Sequence, residues 1–125
     1  MTWPLRISFV VPGPPVPWQR AGTTRSGRHY TPERSKEHRA AIQKFAMVAA
    51  YRQPEWNAGA TSYKLTLRFF LPDSRARDWD NLGKQVSDAL NKLLYEDDRR
   101  IDEVSISKRI DRARPRSAVE LEVLG

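Results

Sequence analysis

Asp80-Asn81-Leu82-Gly83-Lys84-Gln85-Val86-Ser87-Asp88-Ala89-Leu90-Asn91-Lys92-Leu93-Leu94 carries the periodicity that decides the fold. Leu82, Val86, Ala89, Leu90, Leu93 and Leu94 fall at i, i+4, i+7, i+8, i+11 and i+12, the apolar stripe of one α-helix over 80–94. Gly83 weakens that helix by about 1 kcal/mol relative to alanine. Working outward, Ser62–Leu71 sets Tyr63, Leu65, Leu67 and Phe69 against Lys64, Thr66 and Arg68, the period of a strand. Val104–Ile110 and Ala118–Leu124 also alternate, with Arg112–Ser117 expected as a hairpin turn around Pro115. Near the start, Leu5–Val11 reads as a strand, broken by Pro12-Gly13-Pro14-Pro15-Val16-Pro17. Prolines fix φ and remove donors, so that run is a stiff connector, and 18–30 reads as a flexible basic loop. Thr31-Pro32-Glu33 has the form N-cap, N1, N2 and predicts a helix to about Tyr51, with Ala41, Ile42, Phe45, Val48 and Ala49 as its apolar stripe. The predicted order is β-α-β-α-β-β in one α/β (α+β) domain over 1–125, with a Pro-rich, basic loop at 12–30.

The chain has 125 residues, and 22 Lys+Arg against 15 Asp+Glu give a formal charge of +7. That length is one domain. Cysteine is absent, which excludes disulfide frameworks, thiolate metal sites and cysteine nucleophiles. No apolar run approaches the ~18 residues of a membrane span and Met1–Val11 lacks a signal-peptide pattern, so a soluble cytoplasmic protein is expected. The positive balance suggests a polyanionic partner. The signs separate along the chain: Arg20, Arg25, Arg28, Arg34, Lys36 and Arg39 lie on one side, and Lys108, Arg109, Arg112, Arg114 and Arg116 on the other. Between them gather Asp78, Asp80, Asp88, Glu96, Asp97, Asp98, Asp102 and Glu103. A coat for phosphate would not put acids at its centre unless a cation sits there or they are merely solvated surface.

The chemistry-bearing segment is Arg75-Ala76-Arg77-Asp78-Trp79-Asp80-Asn81-Leu82-Gly83-Lys84. Read as extended chain, Asp78 and Asp80 point to the same side, and Asp80 is placed to cap the helix that follows. Lys84 lies one turn on, grouped with Asp80, Ser87 and Asn91 on one polar face, whereas Asp88 falls at its far side. Asp97-Asp98 returns two more carboxylates in the turn after the helix. Two carboxylates at about 4 Å repel by on the order of 4 kcal/mol at an effective dielectric near 20. Either a proton or a cation must sit between them. All-oxygen ligands select Mg²⁺ or Mn²⁺ over zinc. The competing reading is a capped helix start with an Asp–Lys surface pair. Arg75 and Arg77 are either grips for flanking phosphates or counterions to Asp73 and Asp78.

Asp78-x-Asp80-Asn81-Leu82-x-Lys84, followed by Asp88-Ala89-Leu90 and Asp97-Asp98, resembles the RusA-type Holliday junction resolvases. The Pro72-Asp73-x-Arg75-x-Arg77 lead-in matches as well, as do Gly13-x-Pro15-Val16-Pro17 with Arg20 and Arg28-x-Tyr30-Thr31-Pro32. The resemblance implies a homodimeric, Mg²⁺-dependent, structure-selective endonuclease that cuts four-way DNA junctions by paired nicks in recombination and repair. Mn²⁺ is expected to substitute, and the protein is expected at the nucleoid. The implied fold is a mixed sheet with two helices. Position by position, Asp78 and Asp80 take the places of the first two catalytic and metal-binding aspartates, and Lys84 that of the essential lysine. Asp98 is the preferred match for the later aspartate, with Asp97 beside it as the alternative, because Arg100 stands where the family has glutamine.

The remaining candidates are Arg20, Arg25, Arg28, Arg75, Arg77, Arg112 and Arg114 for DNA phosphates, and Trp18 for stacking at the junction. Trp79 is expected to be packing or wall, and His29 and His38 to face solvent or phosphate. Two rivals stand beside the resolvase: a nucleic-acid-binding module without catalysis, and a metal nuclease for other branched DNA.

Overall fold

The computed structural model describes residues 5–18, 22–23, 29–30 and 33–125. Its elements are β1 (Arg6–Pro12), β2 (Gly22–Thr23), β3 (His29–Tyr30), α1 (Glu33–Tyr51), β4 (Tyr63–Leu71), α2 (Trp79–Leu90), β5 (Ile101–Ile110) and β6 (Arg116–Val123). Tyr63, Leu65, Leu67, Phe69 and Leu71 make β4 the strand with most to bury, and it takes a central place. The sheet order is β1-β6-β4-β5. β6 runs antiparallel to both β1 and β4, while β5 runs parallel to β4, so the sheet is mixed. A parallel pair needs a crossover, and α2 supplies it. Ile7, Val11, Val119, Leu121 and Val123 continue the buried face of β4 across β6 and β1, and both helices cover that face. The single mixed α+β domain is as the sequence predicts.

Three expectations change. β5 and β6 do not form a hairpin: β4 lies between them, and the Asp111–Pro115 connection passes over its end, where the Asp111 N–H donates to Leu71 at 2.8 Å. Turn residues mark a reversal but not which strand the chain pairs with afterwards. The second change is in α2, which stops at Leu90 rather than Leu94. Asn91 caps the helix with a non-helical ψ of 131° and Lys92 follows in a left-handed φ of 65°, yet Leu94 stays fully buried, so the apolar spacing outlasts the helix. The third lies in the loop at 18–30, where β2 and β3 pair as a two-stranded ribbon. The Thr31-Pro32 cap lies outside the described residues.

The inner face of α1 is also rotated from the predicted stripe. Ser35, His38, Ile42 and Ala46 are buried, Ala41, Phe45 and Ala49 half-buried, and Val48 exposed. Polar residues occupy this face because it meets α2 through hydrogen bonds. Gln85, fully buried on α2, donates to the Ser35 carbonyl at 2.7 Å and accepts from Arg39 at 3.1 Å. Periodicity counts only apolar residues, so it passed over Ser35, His38 and Gln85.

His38 therefore does not face solvent. Burial, aided by Arg34, holds its imidazole below the ordinary range. The unfolded chain takes up this proton below pH ~6.5, whereas the folded chain resists it. His38 thus favours folding fully above that pH, and the contribution drains away as pH falls through its lowered folded value. In urea titrations, His38→Gln is expected to flatten this part of the stability profile relative to wild type. Parallel profiles for the two proteins would show that His38 is not the group responsible.

Candidate active site

A cleft of about 420 Å³ opens between α2 and β5, lined by Leu65, Leu67, Trp79, Asp80, Gly83, Lys84, Ser87, Asp98, Ile101, Val104 and Ile106. Its floor comes from β4 and its walls from α2, β5 and the 3₁₀ turn Asp98–Arg100 that precedes β5. The cleft thus sits within the β4–α2–β5 crossover, and residues distant in sequence meet there.

The four predicted carboxylates divide by geometry. Asp80 and Asp98 line the cleft. Asp78 is the N-cap of α2, in place of Asp80, and its Oδ1 accepts the Asp80 N–H at 3.2 Å. Asp97 caps the 3₁₀ turn by accepting the Arg99 N–H at 2.9 Å. That backbone hydrogen bond, with smaller help from Asp98, Arg99 and Arg100, holds Asp97 below the usual carboxylate range. The Asp78–Trp79–Asp80 step is therefore not a continuous extended stretch. Asp78 has extended backbone (φ −74°, ψ 118°), whereas Asp80 is already in the first helical turn. Released from capping, Asp80 keeps its carboxylate for the cleft. Among the described residues, no three His, Asp or Glu side chains converge as a ready-made metal cluster.

Lys84 shares the cleft with Asp80, as the helical spacing predicts. Its ammonium lies 3.6 Å from Asp88 Oδ2 and 5.1 Å above the Trp18 ring. Asp88 in turn lies 3.9 Å from Arg39. Asp88, placed by sequence on the far side of the polar face, is thus the anion nearest this lysine. Trp18 arrives because the proline-rich connector lays its backbone on α2: the Trp18 N–H donates to the Asn81 carbonyl at 3.0 Å. Half-exposed ion pairs such as Lys84–Asp88 are worth about 0–1 kcal/mol. They orient the lysine without locking it.

The predicted phosphate contacts separate too. Arg77 is mostly buried, and its guanidinium donates to Asp73 Oδ1 at 2.9 Å and to the Arg75 carbonyl at 3.1 Å, so it braces the loop before α2. Arg75 is exposed, in a groove with Lys108 and Arg109 at the neighbouring ends of β4 and β5. Arg112 and Arg114 are exposed on the connection from β5 to β6, and Arg116 pairs with Asp111 at 2.9 Å over the Phe70 ring. Arg20, Arg25 and Arg28 lie outside the described residues. Lys108 and Arg109 stood out in the sequence only as part of a basic run; the parallel β4–β5 pairing brings them beside Arg75.

Among protein-family models, the one described as Endodeoxyribonuclease RusA matches residues 12–122. Those residues take in both helices and every wall of the cleft. No curated protein matches the chain.

Proposed function

The chain belongs to the RusA endodeoxyribonuclease family, and from that premise we propose that it is a Mg²⁺-dependent, structure-selective endonuclease that resolves four-way DNA junctions by paired nicks. The observation that carries this reading is that Asp80, Asp98 and Lys84 line one cleft although the two aspartates stand far apart in the sequence. No described helix is long and apolar enough to cross a membrane. An enzyme acting on cellular DNA would work at the nucleoid in the cytoplasm.

The donor set suits the cation. Mg²⁺ is usually bound by one or two carboxylates plus substrate phosphate, keeping several waters, rather than by a complete protein cage. Asp80 and Asp98 would hold it, with Asp78 and Asp97 adjoining them in sequence. When bound, the ion polarises the phosphate, activates water and stabilises the leaving oxygen. Mn²⁺ has the same preference for oxygen and would substitute.

The chain's own groups do the rest. Lys84 meets the negative charge that builds on the phosphoryl oxygens, exchanging its weak pair with Asp88 for a stronger one with phosphate. The Trp18 ring and Asp88 keep its ammonium at the cleft mouth. Arg75, Arg112 and Arg114 hold flanking phosphates, with Arg20, Arg25 and Arg28 as a basic arm. On this reading, selection is mainly by branched shape. Two symmetric nicks call for two active sites, hence a homodimer. The edge groove where Val10 of β1 meets Phe45 and Val48 of α1 supports that assembly.

The test is a synthetic four-way junction and its linear duplex counterpart, each with Mg²⁺ or with EDTA. Paired nicks in the junction alone, and only with Mg²⁺, are expected. Junction binding without cutting would leave a pure binding module, and equal cutting of flaps or forks a broader branched-DNA nuclease. In the same assay Asp98→Asn is expected to lower the rate by about 10²-fold, the scale of losing one transition-state charge partner. Asp97→Asn keeps an amide oxygen for its cap and should cost much less. The reverse ranking would assign the ligand to Asp97.

A further inference from the structure

The cleft is lined by residues of two kinds. Asp80, Lys84, Ser87 and Asp98 are charged or polar; Trp79, Ile101, Val104 and Ile106, with Leu65 and Leu67 of β4, are apolar. Trp79 is 57 % exposed, although it stands between two aspartates at the first turn of α2. Val104 is exposed to the same extent on the opposite wall. An indole in a folded domain is normally drawn inward, and Trp56 shows the usual outcome, packed on Tyr63 with its N–H donated to Leu94. Trp79 is instead held out in the cleft beside Asp80.

The geometry points to this apolar lining, at Trp79 beside Asp80, as a seat for one unstacked nucleobase next to the scissile phosphate, with Trp79 as its stacking platform. The inference rests on the nuclease reading above and adds a subsite to it. A phosphodiester held at Asp80, Asp98 and Lys84 brings a deoxyribose and base within a few bonds on either side. The apolar side chains of the lining carry no charge, so they cannot take the next phosphate, but they suit a flat ring. Trp79 offers a π-face, and Val104 and Ile106 offer β-branched packing. A base inside a regular duplex reaches such a wall only by leaving its stack, which costs a few kcal/mol, least where pairing is already disturbed. The exchange point of a four-way junction is such a place. The seat would therefore convert branched shape into correct placement of the scissile phosphate, without reading sequence through a groove.

Two arms test this, and they fail separately. In the first, 2-aminopurine is placed at successive nucleotides across the exchange point of a junction bound in EDTA, where nothing is cut. Emission at one position is expected to be quenched by wild type and to recover with Trp79→Ala, while Trp79→Phe retains part of the quenching. No position with Trp79-dependent quenching overturns the subsite, whether or not the protein is a nuclease. In the second, the nick made by wild type is mapped and an abasic residue is put on each side of it in turn. Trp79→Ala should slow cutting of the intact junction by about 5- to 150-fold, the range for losing one base–aromatic stack. On one abasic junction wild type should be equally slow and Trp79→Ala no slower still. Losses that multiply on both abasic junctions would overturn the subsite and leave the nuclease reading standing. Absence of any nick would overturn that reading, and the first arm still decides the seat. Trp79→Phe, folded and partly active, separates loss of the platform from loss of the helix start.

Discussion

Asp80→Asn is expected to leave the protein folded and bound to four-way DNA while cutting falls by at least about 10²-fold. The separation is clean because of a detail the sequence misplaced. Had Asp80 been the N-cap, changing it would have confused helix stability with chemistry. The cap is Asp78, whose Oδ1 accepts the Asp80 N–H, and the Asp80 side chain is exposed at the cleft. Asparagine has the same shape, so stability should stay within about 0.5 kcal/mol of wild type. What disappears is a negative charge where the cation is proposed to sit. Binding should not weaken, because removing an acid from a DNA-facing cleft relieves repulsion of phosphate. Asp78→Ala should behave differently, losing about 1 kcal/mol of stability through the missing cap. Thermal melting, gel shift and single-turnover cutting on one junction compare the two. Wild-type cutting by Asp80→Asn would remove Asp80 from the chemistry. Lost binding together with lost cutting would make it a structural residue.

How far the sequence carried the fold depended on what each element buries. β4 and α2 were legible because one face of each is apolar at the right period. Leu82, Val86, Ala89 and Leu90 lie buried as their spacing requires. α1 was half legible: its length was right, but Ser35 and His38 lie on the inner face, and only the partner helix, through Gln85, makes that favourable. The position of β5 was not legible. Alternation identifies a strand and says nothing of its neighbour, and a short turn before β6 suggested a hairpin that β4 interrupts. At the site, the helical spacing of Asp80 and Lys84 was enough to place both at one cleft. The division of labour within Asp78/Asp80 and within Asp97/Asp98 was not visible, because a cap and a free carboxylate are the same residue until the backbone dihedrals are known.

The basic and acidic segments also make more sense together. The formal +7 is a sum over groups with different duties. Arg77 and Arg116 are committed to Asp73 and Asp111, and hydrogen bonds from these arginines hold both carboxylates below their usual range. Arg39 is turned to Gln85 and Asp88. Arg75, Arg112 and Arg114 are exposed and flank the crossover that carries the acids. Under the function proposed above, these positive groups would draw the DNA backbone in and leave the carboxylates to a cation.

Gly83→Val is expected to lower the melting temperature by on the order of 5–15 °C and to cost cutting as well. The sequence alone marks Gly83 as a weakness worth about 1 kcal/mol in a helix, which predicts that any side chain there stabilises. Packing reverses the sign. Gly83 is buried where α2 crosses β5, and a Cβ there would stand 2.8 Å from Ile106 Cδ1 and 3.8 Å from Leu67 Cδ1. For alanine the two effects nearly offset: the helix gains about 1 kcal/mol, and Ile106, half-buried with its Cδ1 at the end of the side chain, can turn aside at similar cost. Valine adds two methyls and the poorer helix propensity of a β-branched residue, so overpacking of about 1–3 kcal/mol wins. Relief would come from α2 lifting off β5, which moves Asp80 and Lys84 away from Asp98. A displacement of about 1 Å at such a site is enough for a 10²-fold loss in rate. Ile106→Ala opens space where the new methyls go, so the double variant should recover stability relative to Gly83→Val, a coupling of about 0.5–3 kcal/mol. Additive losses would mean that Ile106 is not what Gly83 makes room for, and a Gly83→Val protein as stable and active as wild type would mean that α2 does not need this close approach.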